Sequence, residues 1–171
     1  MLVSFDAILS ADELAAVRAL LAQAPWASGL SAGPQALAAK RNQQLPEDFG
    51  PLPDLRRMVM RALNRSPLLL SAALPNKVVP PQVNRYTPEH SHYGWHTDST
   101  LRYLPDGSSL RTDISATLFL SDPADYDGGE LHIKDTYGSH RVKLPAGSLV
   151  IYPSGSIHEV TPVTRGERLA C

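Results

Sequence analysis

The hydrophobic and polar pattern changes period near residue 77, from helical spacing to strand-like alternation. The stretch SADELAAVRALLAQA, from Ser10, predicts a helix because its apolar residues lie at helical intervals. Ser10 and Glu13 have the spacing of a capping box, which marks the start of this helix. A second helix, in PDLRRMVMRALNR, is predicted to start near Pro53 and end before Pro67. Between them, SGLSAGPQALAAKRNQQLP predicts a loop with at most a short strand or helix.

The second part of the chain predicts a series of short strands separated by turn-rich segments such as SDPADYDGG and LPAG. The candidate strands are KVVPPQVNRY, YGWHTD, TDISATLFLS, GELHIKD, HRVKL, SLVIYP, IHEVTPV and ERLAC. Many short strands at close spacing favour a sandwich or barrel over parallel crossover units. The sequence therefore predicts an α+β, mainly β fold, with a helical support segment at 1–76 and a β core at 77–171.

Composition narrows the class of protein. A chain of 171 residues with 43% hydrophobic side chains has the size of one globular domain. Its 16 basic and 17 acidic residues are spread along the chain and give a net charge of −1. This distribution argues against binding of nucleic acid or membranes by bulk electrostatics. The single cysteine, Cys171, excludes an internal disulfide framework and a thiolate zinc cluster. With neither a signal-peptide pattern nor an apolar stretch of about 18 to 20 residues, the sequence predicts a cytoplasmic protein.

The stretch YGWHTDSTLR contains the first candidate for chemistry, because His96 and Asp98 are separated by one residue. On a strand, alternate residues face the same side, so both side chains could bind one metal ion. A second histidine would complete the two-histidine, one-carboxylate arrangement of non-haem Fe(II) oxygenases. His158, on a downstream candidate strand, is the predicted third ligand.

Other interpretations of the histidines remain open at this point. A His-x-Asp pattern is short and commonly arises in solvated surface pairs or local hydrogen bonds. Four further histidines offer rival groupings: His90, His92, His132 and His140. His92 and His96 have the spacing of a helical zinc pair, but Pro88 and Gly94 disfavour a helix there. His90 and His92 resemble the paired histidines of a cupin, without the glutamate that such a site places a few residues later.

Arg168 lies ten residues after His158, in HEVTPVTRGERLAC. The segment 164–166 predicts a hairpin turn, which would place His158 and Arg168 on neighbouring strands with the same facing. A guanidinium a few ångströms beyond a metal could bind the far carboxylate of a small dicarboxylic acid. The alternative is a surface arginine in a charged hairpin.

Three stretches carry a family resemblance: NRYTPEHSHYGWHTD, RTDISATLFLSDPADYDGGEL and VKLPAGSLVIYPSGSIHEVTPVTRGER. They resemble bacterial PKHD-type hydroxylases, relatives of prolyl 4-hydroxylases among the Fe(II)- and 2-oxoglutarate-dependent dioxygenases. The resemblance implies a double-stranded β-helix, or jelly roll, with His96, Asp98 and His158 as iron ligands and Arg168 as the 2-oxoglutarate anchor. Many prolyl hydroxylases use lysine as the anchor, so arginine weakens any transfer of proline as substrate. Such proteins usually continue beyond this arginine, so a missing C-terminal part of the core is also expected.

Further residues near the predicted site have two interpretations each. Tyr86 is expected either to hydrogen-bond 2-oxoglutarate, as a tyrosine does in prolyl hydroxylases, or to pack in the core. Trp95 alternates with His96 and should face the other side of the strand, where core packing is expected over substrate stacking. Arg102 and Arg111 could meet an acidic substrate group or be solvated.

The resemblance implies a reaction in which 2-oxoglutarate is decarboxylated to succinate and a nearby C–H bond is hydroxylated, with ascorbate rescuing over-oxidised iron. It leaves the small-molecule or peptide substrate and the oligomeric state open, and it associates the family with bacterial iron uptake. The alternative is a non-catalytic jelly-roll module that binds a metal such as zinc or another ligand. Retention of every predicted metal and anchor residue favours catalysis.

Overall fold

Short strands and three α-helices make up the part of the chain that the computed structural model describes, residues 1–29, 39–103, 107–136 and 138–171. The helices are α1 (Ala11–Leu21), α2 (Leu52–Asn64) and α3 (Pro67–Ala73), with a 3-10 turn at Pro123–Asp125. The strands are β1 (Val3–Phe5), β2 (Ala27–Ser28), β3 (Lys40–Arg41), β4 (Gln43–Gln44), β5 (Asn84–Tyr86), β6 (His92–His96), β7 (Leu101–Tyr103), β8 (Ser109–Arg111), β9 (Ile114–Leu118), β10 (Tyr126–Gly128), β11 (Leu131–Asp135), β12 (Gly138–Val142), β13 (Leu149–Pro153), β14 (Ile157–Val160), β15 (Val163–Gly166) and β16 (Arg168–Ala170).

The larger sheets form two layers of antiparallel strands. The outer layer has the order β12-β11-β14-β6-β3. The inner layer combines the sheet β1-β13-β9 with the sheet β16-β5-β4-β2, which are joined by a bridge between Phe119 and Ala170. At that junction Leu118 and Cys171 exchange backbone hydrogen bonds of 2.7 and 2.9 Å. A ribbon of β10 and β15 and a hairpin of β7 and β8 complete the strands.

The inner layer is buried on both faces, as β13 shows. Leu149 and Ile151 belong to the apolar core that contains residues of all three helices. Val150 and Tyr152, which alternate with them, belong to a second core between the two layers. A strand that is covered on both sides needs a continuous apolar run rather than alternation, and LVIY is such a run.

The helices follow their sequence signals closely. Ser10 caps α1, because its hydroxyl accepts from the Glu13 N–H at 3.2 Å while the Glu13 carboxylate accepts from the Ser10 N–H at 2.9 Å. Helix α2 ends at Asn64, before Pro67 as predicted. Helix α3 was not predicted, although Ser66 caps it and Pro67 occupies its first position, a common helix start. Among the described residues, none of the helices has the length and apolarity needed to cross a bilayer.

Several strand boundaries differ from the prediction, mostly at prolines. The candidate strand from Lys77 is regular only over Asn84–Tyr86, because Pro80 and Pro81 offer no N–H to a ladder. The candidate IHEVTPV contains the whole of β14, which ends before Pro162, and only the first residue of β15. The first 76 residues also contribute β1 to β4 to the sheets, and three of these strands lie in the segment predicted as a loop or at its edge.

The predicted hairpin at residues 164–166 is wrong. Val163–Gly166 forms β15, which pairs with β10, and Arg165 Nε donates to Asp127 Oδ2 at 2.7 Å. Gly166 has a φ of 74°, and a Cβ there would collide with the Asp125 carbonyl oxygen. The chain then passes to the inner layer, where Arg168 pairs with Tyr86 of β5. Strands β14 and β16 therefore belong to opposite layers.

Candidate active site

His96, Asp98 and His158 come together between the layers. His96 ends β6 and lies opposite His158 in the β6–β14 register, while Asp98 follows two residues beyond the strand. Asp98 Oδ1 is 3.8 Å from His96 Nε2 and 3.7 Å from His158 Nε2. Within the described ranges this is the one group of three histidine, cysteine or acidic side chains whose ligand atoms all lie within 4.8 Å of one another. The sequence prediction thus named three residues that the fold brings together.

Hydrogen bonds orient the three candidate metal ligands toward the same point. The His96 Nδ1 lies 2.7 Å from the Gly94 carbonyl oxygen, and the His158 Nδ1 lies 2.9 Å from that of Ser156. A carbonyl only accepts, so both Nδ1 atoms carry the proton and both Nε2 lone pairs are free for a metal. Asp98 Oδ2 accepts from the Ser115 hydroxyl, which leaves Oδ1 facing the histidines.

The environment also keeps His96 in its metal-binding form. Burial lowers the pKa of His96 from 6.5 to about 4, and the nearby His158 acts in the same direction. The Gly94 carbonyl and the Asp98 carboxylate oppose this shift. The His96 imidazole is therefore neutral at pH 7, and a metal need not displace a proton from it.

A bulge in β6 sets the facing of its aromatic side chains. Tyr93 and His96 are three residues apart, yet they pair with Val160 and His158, which are two apart. The extra residue places both rings inside, where they stack with centroids 3.5 Å apart. Trp95 faces the other side as expected, but its predicted core packing is wrong. The indole is 42% exposed, and Lys134 Nζ lies 3.9 Å from its ring centre.

Within the described residues, Arg168 is a buried cation without a counter-ion. It is 2% exposed, and its guanidinium carbon lies 5.1 Å from the ring centre of Tyr86 and 5.4 Å from that of Phe119. In the described part of the chain, Arg168 Nε lacks a hydrogen-bond partner and no carboxylate forms an ion pair with this residue. A buried unpaired charge is costly, so this position fits an anionic ligand.

The charges of Asp98 and Arg168 both affect the pKa values of two buried tyrosines, Tyr86 and Tyr152. Burial raises the pKa of Tyr86 to about 12, although the positive charge of Arg168 acts against it. Burial, followed by the Asp98 charge, raises the pKa of Tyr152, whose ring centre lies 5.0 Å from that of His158. Both hydroxyls therefore stay protonated as hydrogen-bond donors. Sequence reasoning missed Tyr152, and a lone phenol in the apolar run LVIY was the available signal.

Two candidate arginines are exposed, and one buried lysine escaped the sequence prediction. Arg102 and Arg111 are on the exposed β7–β8 hairpin, where Arg111 Nε lies 2.8 Å from Asp113 Oδ1. The rival histidine pairs do not form a metal-binding group among the described side chains. Lys40, which the sequence prediction passed over, is buried opposite Tyr93.

The comparisons with known proteins agree with this geometry. Residues 81–171 match the 2OG-Fe(II) oxygenase superfamily. A PKHD-type hydroxylase of Nitrosomonas europaea is 60% identical over 173 residues, with 100% of this chain and 76% of that protein aligned. The chain belongs to the PKHD-type hydroxylases of this superfamily. Another member, from Azoarcus, is 56% identical over 172 residues, again with 100% of this chain and 76% of that protein aligned.

Solved oxygenase structures share the fold of this PKHD-type hydroxylase. A prolyl-4-hydroxylase of Pseudomonas putida aligns with a TM-score of 0.63 and 23% identity, over 99% of this chain and 88% of that one. A prolyl hydroxylase of Trichoplax adhaerens aligns with a TM-score of 0.68 and 14% identity, over 99% and 80%. The predicted jelly roll and the predicted enzyme class, an Fe(II)- and 2-oxoglutarate-dependent dioxygenase, are confirmed.

Proposed function

We propose that this oxygenase binds Fe(II) through His96, Asp98 and His158 and 2-oxoglutarate through Arg168, and hydroxylates a C–H bond of a small-molecule or peptide substrate. The observation that carries the proposal is the convergence of two Nε2 atoms and one carboxylate oxygen on one point. This donor set suits Fe(II) and leaves coordination positions open for a chelating co-substrate and dioxygen.

Each side chain has a distinct task in the proposed reaction. His96 and His158 present neutral imidazoles whose orientation is fixed by the Gly94 and Ser156 carbonyls. Asp98 supplies the anionic ligand and is held by Ser115. When bound there, Fe(II) supplies the activation of dioxygen that couples decarboxylation of 2-oxoglutarate to hydroxylation.

The second half of the site would hold the co-substrate. Arg168 neutralises the distal carboxylate of 2-oxoglutarate, and its planar guanidinium can donate two parallel hydrogen bonds. The hydroxyls of Tyr86 and Tyr152 stay protonated and would donate to co-substrate oxygens. The buried aromatic and aliphatic residues of the core between the layers exclude water from this pocket.

The setting of the reaction is part of the same proposal. Ascorbate would act as an accessory reductant, and the reaction would take place in the cytoplasm. The family resemblance supports ascorbate and a connection to bacterial iron uptake, while the single cysteine, Cys171, supports a reducing compartment.

The test is anaerobic reconstitution with Fe(II), titration with 2-oxoglutarate while the metal-to-ligand charge-transfer absorption is recorded, and then admission of oxygen with a panel of candidate substrates. We expect a charge-transfer band and substrate-stimulated formation of succinate. The control is the Asp98→Ala protein, which should give neither. Tight zinc binding without a charge-transfer band or succinate in the Fe(II) protein would refute the proposal and support the non-catalytic module.

A further inference from the structure

Lys40 is a buried lysine beside the candidate iron site. It lies on β3, is 8% exposed, and is paired in register with Tyr93 on β6. Its Nζ lies 5.1 Å from the Tyr93 ring centre, and the Tyr93 ring stacks on His96. One aromatic ring therefore separates this ammonium group from a candidate iron ligand.

The Lys40 ammonium lies over the Tyr93 ring but is not paired with a carboxylate in the described part of the chain. Among the described residues, no carboxylate lies within ion-pair distance and no acceptor forms a hydrogen bond with it. Burial lowers the pKa of Lys40, and the Asp98 charge opposes this shift. Asp98 is thus near enough to interact electrostatically with Lys40 but is not paired with it. Burying most of a lysine side chain without an ion pair is costly for its charge, so the position fits a ligand that carries a negative charge.

In the proposed site, the positive charge of Lys40 is not balanced by a negative charge. The charges of Fe(II) and Arg168 would be balanced by Asp98 and the two carboxylates of 2-oxoglutarate. Lys40 adds one positive charge to this neutral set, and one further monoanion would balance it. Arg168 lies on β16 in the inner layer and Lys40 on β3 in the outer layer, so Lys40 approaches the site from the layer opposite the proposed co-substrate anchor.

We infer that Lys40 is a specificity-determining residue that binds a carboxylate of the substrate beside the C–H bond to be hydroxylated. The inference rests on the proposed function, because it requires iron at His96, Asp98 and His158. It narrows the substrate class to carboxylate-bearing molecules.

The test uses matched probes that differ only in charge: N-acetyl amino acids as free carboxylates and as the corresponding amides. Each probe is titrated anaerobically into the Fe(II) and 2-oxoglutarate protein, and its Kd is read from the change in the charge-transfer band. We expect at least one acid to bind about 30-fold or more tightly than its amide, the effect of one desolvated charge pair. Lys40→Met should abolish this preference and Lys40→Arg should keep part of it. The exposed Lys77→Met control should keep all of it.

The outcomes that would overturn the inference are distinct. Equal binding of every acid and its amide by the parent protein would refute it without any variant, even if Lys40→Met failed to fold. The same preference in folded Lys40→Met would also refute it. A rise in the Kd of 2-oxoglutarate in Lys40→Met as large as in Arg168→Ala would assign Lys40 to the co-substrate instead. Absence of a charge-transfer band in the parent would refute the proposed function itself.

Discussion

Two groups of histidine and acidic side chains lie on opposite faces of the outer layer, and only one has the geometry of a metal site. On the solvent side, His132 Nε2 is 3.0 Å from Glu130 Oε2 and His132 Nδ1 is 3.2 Å from Glu159 Oε1. On the inner side, the two imidazoles use Nδ1 for backbone carbonyls and direct Nε2 toward Asp98.

The two groups differ in composition, with two histidines and one acid inside against one histidine and two acids outside, and they differ in the direction of their ligand atoms. In the outer group, the two carboxylates lie at opposite nitrogens of one imidazole, so the three side chains do not converge on one point. In the inner group, backbone carbonyls fix the tautomers of both imidazoles. The two Nε2 atoms and the Asp98 carboxylate oxygen therefore point to one position where a metal can bind. A histidine and two acids on a sheet are therefore insufficient for a metal centre.

The largest expected effect is loss of iron when an inner ligand is removed. Loss of a residue that only hydrogen-bonds to a metal ligand reduces metal affinity by roughly 10- to 100-fold. His158→Ala or Asp98→Ala removes a ligand itself, so each should reduce Fe(II) affinity by more than this and should abolish turnover. Anaerobic titration calorimetry measures the affinity, and circular dichroism checks the fold. His132→Ala and His92→Ala are the matched controls and should bind iron like the parent. Full iron affinity in either inner variant would show that the triad assignment is wrong.

A buried arginine, Arg168, and an exposed one, Arg165, provide a second comparison between the interior and the surface. Arg168→Ala should raise the Kd of 2-oxoglutarate by about 30-fold to several thousand-fold, because a desolvated carboxylate loses its partner at a cost of about 2 to 5 kcal/mol. Arg168→Lys should lie between, since lysine restores the charge without the planar contact. Anaerobic titration of the charge-transfer band measures both.

Arg165→Ala is the control for that experiment, because Arg165 is exposed and paired with Asp127. Its Kd for 2-oxoglutarate should match that of the parent, and iron should bind to all three variants. If Arg168→Ala also kept the parent Kd, the anchor would have to be sought elsewhere.

Low pH should decrease the free energy of unfolding of the metal-free protein, because the pKa of His96 is lower in the folded state than in the unfolded chain. The folded-state pKa of His96 is about 4 against an ordinary 6.5, so the unfolded chain binds the extra proton first as the pH falls. The His96 contribution is thus complete above pH 6.5 and is lost as the pH falls toward 4, by about 2 kcal/mol between pH 7 and pH 5. Urea denaturation of the metal-free protein measures this loss. His96→Gln should have a shallower dependence over this interval, and an identical slope would contradict the assignment.

The smallest effect is expected from the outer group. Glu159→Gln should change the free energy of unfolding by less than about 1 kcal/mol, because partly exposed ion pairs contribute little. It should also leave iron affinity unchanged. Thermal unfolding and iron titration measure the two quantities. A loss of iron affinity in this variant would mean that the outer group participates in metal binding, and the contrast between the faces would fail.

Several signals in the sequence are local, and these signals predicted many features of the protein. The capping box at Ser10 and Glu13 needs only neighbours along the chain, and it appears as predicted. His96, Asp98, His158 and Arg168 were named from short motifs and family resemblance. The family and the reaction class followed from the same stretches and are confirmed by the comparisons.

Contacts between distant parts of the chain determine which side chains share a pocket. A glycine at positive φ ended β15 and sent Arg168 to the opposite layer, which the hairpin prediction had missed. A bulge in β6 brought Tyr93 inside, and β3 brought Lys40 against it from a segment predicted as loop. Strand pairing joins residues that are distant in the chain, and an irregularity of one residue reverses the facing of every side chain beyond it, so local periodicity could not predict these contacts.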